Sequence, residues 1–318
     1  MRILITGISG FVGSHLAEYF LDGGKHEVYG TIKWRSDRQN IMGIQDKIRL
    51  YECDIKDAFS VNTIIEQIKP DQIFHLAAQS YVLFSWRAPQ ETLTTNIIGE
   101  VNLFEAVRAA KLDPYIHIAG SSEEYGMVYP NEVPIKETNP LRPLSPYGVS
   151  KVTQDFLGYQ YFKSYGLKVV RTRAFNHTGP RRGAVFATSN FAKQIIEIEK
   201  GKRKPVIQVG NLEAVRDFLD VRDVAKAYAF SLSKGEPGEI YNISSGVGVK
   251  IKDMLDKLIA LSKVNLKIET DPSRIRPSDV ELLIGSAEKF KKATGWKPAI
   301  PFDQTLRDLL EYWRQRIT

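Results

Sequence analysis

The stretch Arg2-Ile3-Leu4-Ile5-Thr6-Gly7-Ile8-Ser9-Gly10-Phe11-Val12-Gly13 decides how this chain folds. A short apolar run, right for one buried strand, leads into glycines at 7, 10 and 13, and apolar residues at helical spacing follow from Phe11 to Leu21. Strand, glycine turn and helix in that order let the backbone turn tightly and approach a pyrophosphate, with the helix N-terminus supplying free N–H groups and a positive dipole end. The same stretch excludes a signal peptide, because Thr6 and Gly7 end the apolar run far short of the roughly 7 to 15 residues such a segment needs.

Outward from that unit the pattern repeats. Glu27–Gly30, Ile48–Glu52, Gln72–Leu76, Tyr115–Ala119 and Lys168–Thr172 read as buried strands, and Ala58–Ile68, Thr92–Ala110 and Tyr147–Tyr165 carry apolar residues near helical period. Parallel neighbours joined by right-handed helical crossovers give an α/β fold, a Rossmann-type doubly wound sheet whose ligands sit at the carboxyl ends of the strands. The rhythm changes after about residue 175, with Gly179, Pro180 and Gly183 in a loop, a basic run from Lys200 to Lys204, and a closing helix from Phe302 to about Arg316. We therefore expect a dinucleotide-binding domain over 1–175 and a smaller C-terminal α/β substrate-binding domain over 176–318, with segments around 215–245 returning to the first.

Composition narrows the function classes. The 318 residues carry 44 Lys+Arg against 37 Asp+Glu, a net charge of +7, and a single cysteine, Cys53. One cysteine excludes an internal disulfide framework and a multi-cysteine zinc site, no metal centre is expected, and the usage fits a cytoplasmic protein. No apolar run approaches the ~18 residues of a membrane span. The basic surplus fits nucleic acid, an anionic membrane or a small polyphosphate substrate. With no groove-reading motif or basic helix, and with the informative cations standing singly, we read it as neutralising small polyanions, with neither nucleic acid nor membrane as a partner.

The second strand runs into Thr31-Ile32-Lys33-Trp34-Arg35-Ser36, and the first acid is Asp37. An NAD site places an acid on the ribose 2′-hydroxyl, whereas a 2′-phosphate wants cations, so Lys33 and Arg35 favour NADP over NAD. Asp54, after the third strand, is a candidate for the adenine edge or for a helix cap near Lys56. Tyr147 and Lys151, in Ser145-Pro146-Tyr147-Gly148-Val149-Ser150-Lys151, stand one helical turn apart on one face. An ammonium there favours the phenolate and lowers the tyrosine pKa toward a value useful in proton transfer.

Gly7, Gly10 and Gly13, His75-Leu76-Ala77-Ala78, and the Tyr147/Lys151 pair together resemble the extended short-chain dehydrogenase/reductase family, in its nucleotide-sugar epimerase and dehydratase branch. The second half, through Phe175-Asn176-His177-Thr178-Gly179-Pro180-Arg181-Arg182-Gly183 and Asn211-Leu212-Glu213-Ala214-Val215-Arg216-Asp217-Phe218, resembles the GDP-mannose 4,6-dehydratases and the sister GDP-6-deoxy-4-keto-mannose reductases. The resemblance implies a tightly bound, recycled NADP contacting Gly7, Gly10, Phe11, Val12, Gly13, Lys33, Arg35, Asp54, Ile55, Leu76, Ala77, Ala78, Tyr147 and Lys151. It makes Tyr147 the base toward the sugar 4-hydroxyl, Ser121 the hydroxyl beside it, and Glu123 the carboxylate that distinguishes a dehydratase from a simple epimerase. Glu124 reads as an exposed loop carboxylate, and His75 and His117 as satisfied core histidines.

For a GDP-hexose substrate the resemblance implies Ser85, Asn176, Arg182, Asn211, Arg216, Arg276 and Asp279, with Arg216 and Arg276 as guanidinium donors to the two phosphates. Glu123, the Pro180–Gly183 loop and the long segment from Arg35 to Gly43 look like the dehydratase. Glu213–Phe218, Ser121–Gly126 and Trp296-Lys297-Pro298 look as much like the reductase. The expected reaction is GDP-mannose to GDP-4-keto-6-deoxy-mannose, with 4-keto reduction using NAD(P)H as the alternative and epimerisation behind both. A homodimer or homotetramer is expected, paired through the helices near 92–110 and 147–165.

Overall fold

The computed structural model describes residues 1–262, 264–275 and 280–318. In chain order the first part comprises β1 (Arg2–Thr6), α1 (Phe11–Asp22), β2 (Glu27–Ile32), β3 (Arg49–Glu52), α2 (Ala58–Ile68), β4 (Gln72–His75), α3 (Val82–Arg87), α4 (Pro89–Leu93), α5 (Gly99–Ala109), β5 (Tyr115–Ser121), α6 (Pro146–Tyr165) and β6 (Lys168–Ala174). The second part adds β7 (Asn176–Thr178), α7 (Ala187–Glu199), β8 (Val206–Val209), β9 (Val215–Asp220), α8 (Val221–Lys234) and β10 (Ile240–Ile243). It continues through β11 (Gly248–Lys250), α9 (Ile251–Ala260), β12 (Lys267–Thr270), β13 (Leu282–Leu283), α10 (Glu288–Thr294) and α11 (Phe302–Arg316).

Seven parallel strands in the order β10-β6-β5-β4-β1-β2-β3 form the main sheet. Successive strand residues point to opposite faces, so Ile3 and Ile5 enter one core with Leu16, Phe20, Val224, Tyr228 and Leu232 from α1 and α8. Leu4 enters the other, with Ile65, Ile68, Leu103, Phe104, Val107 and Tyr161 from α2, α5 and α6. An all-parallel sheet covered on both faces needs such unbroken apolar strands. The chain returns to this sheet late: α8 packs on the α1 face and β10 pairs with β6. The second lobe has its own core, in which Phe191, Ile195, Met254, Leu258, Leu306 and Leu310 hold α7, α9 and α11 together.

Three local findings refine the sequence reading. The expected helix over 92–110 is α4, a π-helical turn over Thr94–Ile98, and α5. Buried Asn96 in that turn accepts from Gln79 N at 2.8 Å and donates to Ser150 Oγ at 2.8 Å, so its side chain ties the turn to α6. The segment after β2 forms a 3₁₀ helix over Gln39–Lys47, with Ile41 buried and Asn40 donating to Ser9 O at 3.1 Å. Asp220 caps α8 and pairs with Arg222, and Asp223 accepts from Ala299 N and Ile300 N, both at 2.9 Å. Lys200 donates to the carbonyls of Arg314 and Ile317 at the end of α11. Among the described residues no helix is long and apolar enough to cross a membrane.

Candidate active site

The glycine loop is fixed by its neighbours before any ligand is considered. Gly7 N and Ile8 N donate to Thr31 O at 3.1 and 3.2 Å, and Gly10 N to Gly7 O at 2.9 Å. Gly7 has φ of +70°, and a Cβ there would lie 3.0 Å from Ala77 Cα; a Cβ on Gly13 would lie 2.6 Å from Gly7 O. Only glycine lets strand, turn and helix close this tightly. Thr6 Oγ1 accepts from Leu76 N and Ala77 N, both at 3.1 Å, which draws the end of β4 against the end of β1. The result is a cleft of about 530 Å³ at the carboxyl ends of the strands. It opens where the strand order reverses, the usual place for a dinucleotide in this architecture. The first-turn N–H groups of α1 face it with no acidic residue in that turn, so the cradle suits an anionic pyrophosphate.

The residues expected to be catalytic stand together in the cleft. Ser145 caps α6 by accepting from Gly148 N at 3.0 Å, and Pro146 occupies the first turn. That fixes Tyr147 at the helix start and Lys151 one turn on. A Cβ on Gly148 would lie 2.7 Å from Glu123 O, so glycine there lets the segment after β5 pack directly on α6. Ser121 is held by a reciprocal cap: its Oγ accepts from Glu123 N at 3.2 Å, and its N donates to Glu124 Oε1 at 2.7 Å. Ser121 and Tyr147 share a side-chain hydrogen bond, and the charge of Glu123 is felt at the Tyr147 phenol. Ser121, Glu123, Tyr147 and Lys151 all line the cleft.

Two electrostatic expectations change. Burial pushes the Tyr147 phenol up, with the Ser121 hydrogen bond and the Arg182 charge opposing, rather than down as expected beside Lys151. Lys151 is itself pushed down to about 8 by burial, and its Nζ lies 5.8 Å from the Tyr147 ring centroid. Glu124 is not an exposed loop carboxylate; it is wholly buried, paired with Arg173 Nε at 2.7 Å, and pushed up to about 8 by burial and then by Asp155. Arg173 also grips Asp155, which binds Arg171. This buried ionic cluster anchors the backbone that presents Ser121 and Glu123.

Of the residues expected at the cofactor, Gly7, Gly10, Phe11, Val12, Gly13, Lys33, Asp54, Ile55, Leu76, Ala77 and Ala78 line the cleft together with Tyr147 and Lys151. Arg35 does not; it is exposed, with its guanidinium 4.2 Å from the Trp34 ring centroid, and Ser36 takes the lining position. Asp54 pairs with Lys33 at 3.2 Å and accepts from Lys56 N at 3.1 Å, while the cap of α2 is Asp57. Asp37, the first acid after β2, accepts from Gln39 N at 2.8 Å.

On the substrate side, Asn176 and Arg182 line the cleft, with Arg182 stacked 3.4 Å from the Phe186 ring centroid. Ser85 does not reach it; its hydroxyl donates at 2.6 Å to Val82 O within α3, because a helical serine bonds readily to its own preceding turn. Asn211 accepts from Glu213 N at 2.9 Å, and Arg216 donates to Val215 O at 3.0 Å, both in the second lobe outside the cleft lining. Arg276 and Asp279 lie outside the described residues. Buried His75 and His117 each bond one ring nitrogen to a threonine, Thr6 and Thr172, at 2.9 Å. Their other nitrogens have no partner, so the two are half-satisfied.

Sequence reasoning passed over His177, Phe186 and Tyr228, which complete the lining. His177 stacks on Phe11 at 5.9 Å between centroids. The loop carrying Arg182 is tied to α1 by His15, which pairs with Pro180 O at 3.0 Å, and by the Arg181–Glu18 ion pair. No local pattern marks these residues: His177 on β7, Phe186 at the start of α7 and Tyr228 on α8 are brought to the cleft only by the tertiary fold.

The family model described as GDP-mannose 4,6 dehydratase matches residues 4–309. The chain belongs to that family. Among its relatives, the GDP-6-deoxy-D-mannose reductase of Pseudomonas aeruginosa is 34% identical over 316 residues, 99% of this chain and 98% of that protein. The GDP-mannose 4,6 dehydratase 2 of Arabidopsis thaliana is 34% identical over 325 residues, 97% of this chain and 85% of that one. The solved structure of RMD from Pseudomonas aeruginosa complexed with NADPH superposes with a TM-score of 0.87 at 32% identity, covering 99% of both chains. Members of the family are nucleotide-sugar enzymes of the extended short-chain dehydrogenase/reductase type, and a nicotinamide cofactor suits the glycine cradle described above.

Proposed function

We propose that this protein is a GDP-mannose 4,6-dehydratase that uses NADP. The observation carrying the reading is Glu123: a carboxylate shares the cleft with Ser121, Tyr147 and Lys151. A reductase or an epimerase needs the last three and no carboxylate at that point. Held by the glycine loop, Tyr147 and Lys151, a nicotinamide would supply the hydride acceptor for C4 of the hexose and the hydride donor for C6. Tyr147 accepts the proton of the 4-hydroxyl while Ser121 holds that oxygen. The C4 ketone makes the C5 proton acidic; Glu123 removes it and passes a proton to the departing C6 hydroxyl, which leaves as water. Tyr147 then returns its proton to C5. One water is lost, with no net oxidation.

NADP rests on charge. Lys33 lines the cleft, whereas Asp37, the first acid after β2, is not in the lining and accepts from Gln39 N. Asn176 and Arg182 line the cleft where the hexose would sit. Incubating the purified protein with GDP-mannose and catalytic NADP should yield the 4-keto-6-deoxy sugar without net NADPH formation, with NAD supporting markedly slower turnover. Inert GDP-mannose, together with NADPH consumption on the keto sugar, would install the reductase reading, which the likeness to the Pseudomonas enzyme favours.

Self-association is the remaining part of the proposal. Val149 and Phe156, two turns apart on α6, are 45% and 58% exposed, and Ile98 at the head of α5 is 46% exposed. Such a cluster of exposed apolar side chains on neighbouring helices marks a contact surface. Phe156→Asp should convert the assembly to monomer in light scattering; an unchanged mass would place the contact elsewhere.

A further inference from the structure

Behind the catalytic lysine stands a chain of polar groups that the proposed mechanism does not use. Tyr147, Lys151 and Gln154 occupy one face of α6. Lys151 Nζ donates to Ala119 O and to Gln154 Oε1, both at 2.8 Å, and Gln154 Nε2 donates to Glu100 Oε2 at 2.7 Å. Glu100 is fully buried in the first turn of α5, on the stripe of Leu103, Phe104 and Val107, and its Oε1 has no hydrogen-bond partner among the described residues. A carboxyl on an apolar stripe is costly to keep. The amide between it and the ammonium is oriented with oxygen toward the cation and NH₂ toward the carboxyl.

We propose that Glu100 is a positioning residue for the reaction: acting through Gln154, it aligns Lys151 behind Tyr147 and holds it cationic, so setting the alkaline limit of turnover. The proposal rests on the reading of the chain as a Tyr147/Lys151 hydride-transfer enzyme. Lys151 is faced by Tyr147 on its own helix, Glu100 on α5, Glu124 after β5, and His75 and His117 on β4 and β5. Both histidines are held neutral, pushed down to about 3 chiefly by burial. Glu100 is faced by Lys151, Gln154, Asp155 and Glu124. Burial pushes Glu100 well above the carboxylate range, with Lys151 opposing. Burial pushes Lys151 down to about 8, with Glu100 the first-ranked charge opposing it. As pH rises, buried Glu100 ionises later than an exposed carboxyl, and its charge then opposes loss of the Lys151 proton near pH 8; a side chain that cannot ionise there moves that loss to lower pH.

In the holoenzyme, Glu100→Gln keeps size and the hydrogen bond from Gln154 but cannot ionise. It should shift the alkaline limb of kcat down by about one to two pH units, leaving KM within about twofold, and Glu100→Asp should partly restore the limb. Gln154→Leu, which breaks the link and leaves Glu100 in place, should shift it the same way and serves if Glu100→Gln does not fold. The Lys151 Nζ titration, followed by ¹⁵N NMR, needs no substrate and should move in parallel. A limb and a Lys151 titration that superimpose on those of the unaltered protein overturn the proposal. A shifted Lys151 titration in a protein that turns over no GDP-sugar supports the relay and faults the functional reading instead.

Discussion

Tyr147→Phe should lower kcat by about 10²–10⁴-fold, the range for loss of a positioned acid–base group. Fold and cofactor affinity should change little. The phenyl ring keeps the packed volume, and the hydroxyl's hydrogen bond to Ser121 is worth only about 1 kcal/mol. Lys151 Nζ is held by Ala119 O and Gln154 Oε1, 5.8 Å from the Tyr147 ring centroid, so it is poorly placed to replace the phenol. Steady-state turnover of GDP-mannose by the variant checks this. A loss smaller than tenfold would mean that another group takes the C4 hydroxyl proton.

Glu123→Gln should stop the reaction between its two halves. Tyr147 and Ser121 remain to open C4, but nothing moves the C5 proton to the departing hydroxyl, so net turnover should fall by about 10²–10⁴-fold. On rapid mixing with GDP-mannose, the variant should show a single rise in nicotinamide absorbance of at most one equivalent per site, with no keto sugar released. Glutamine keeps the main-chain N–H that bonds Ser121 Oγ, so the loop should survive. A variant that reduces the 4-keto sugar at an undiminished rate while the unaltered protein leaves GDP-mannose untouched would sink the dehydratase reading. The two substitutions therefore separate the proton transfers that a single loss of activity would merge.

Residues contiguous in sequence were legible because local spacing is enough to place them. The run from β1 through the glycines to α1 fixes a strand, a tight turn and a helix N-terminus within one short segment. The Tyr147/Lys151 pair needs only the helical repeat, and Ser121 ends β5 with Glu123 two residues on. Arg35 was misplaced because two adjacent cations look alike until the backbone turns: at φ +60° its side chain swings onto Trp34, and Ser36 takes the cleft position. Ser85 was spent on its own helix. Glu124 and Glu100 escaped because a carboxylate defaults to solvent, and only tertiary contacts with Arg173 and Gln154 make its burial tolerable. The one local trace of Glu100 is its place on an apolar stripe.

By itself the sequence determined the doubly wound sheet, the glycine turn and the Tyr147/Lys151 face, since each depends on short-range periodicity or on the conformational demands of a few residues, whereas Glu123 was picked out by resemblance to a family. Only the tertiary structure decided which distant groups converge. It brought β10 back to β6, tied the loop of Arg182 to α1 through His15 and Glu18, and set Gln154 and Glu100 behind Lys151. Those placements depend on which helices cover which face of the sheet, and the electrostatics follow from burial, a property of the packed chain.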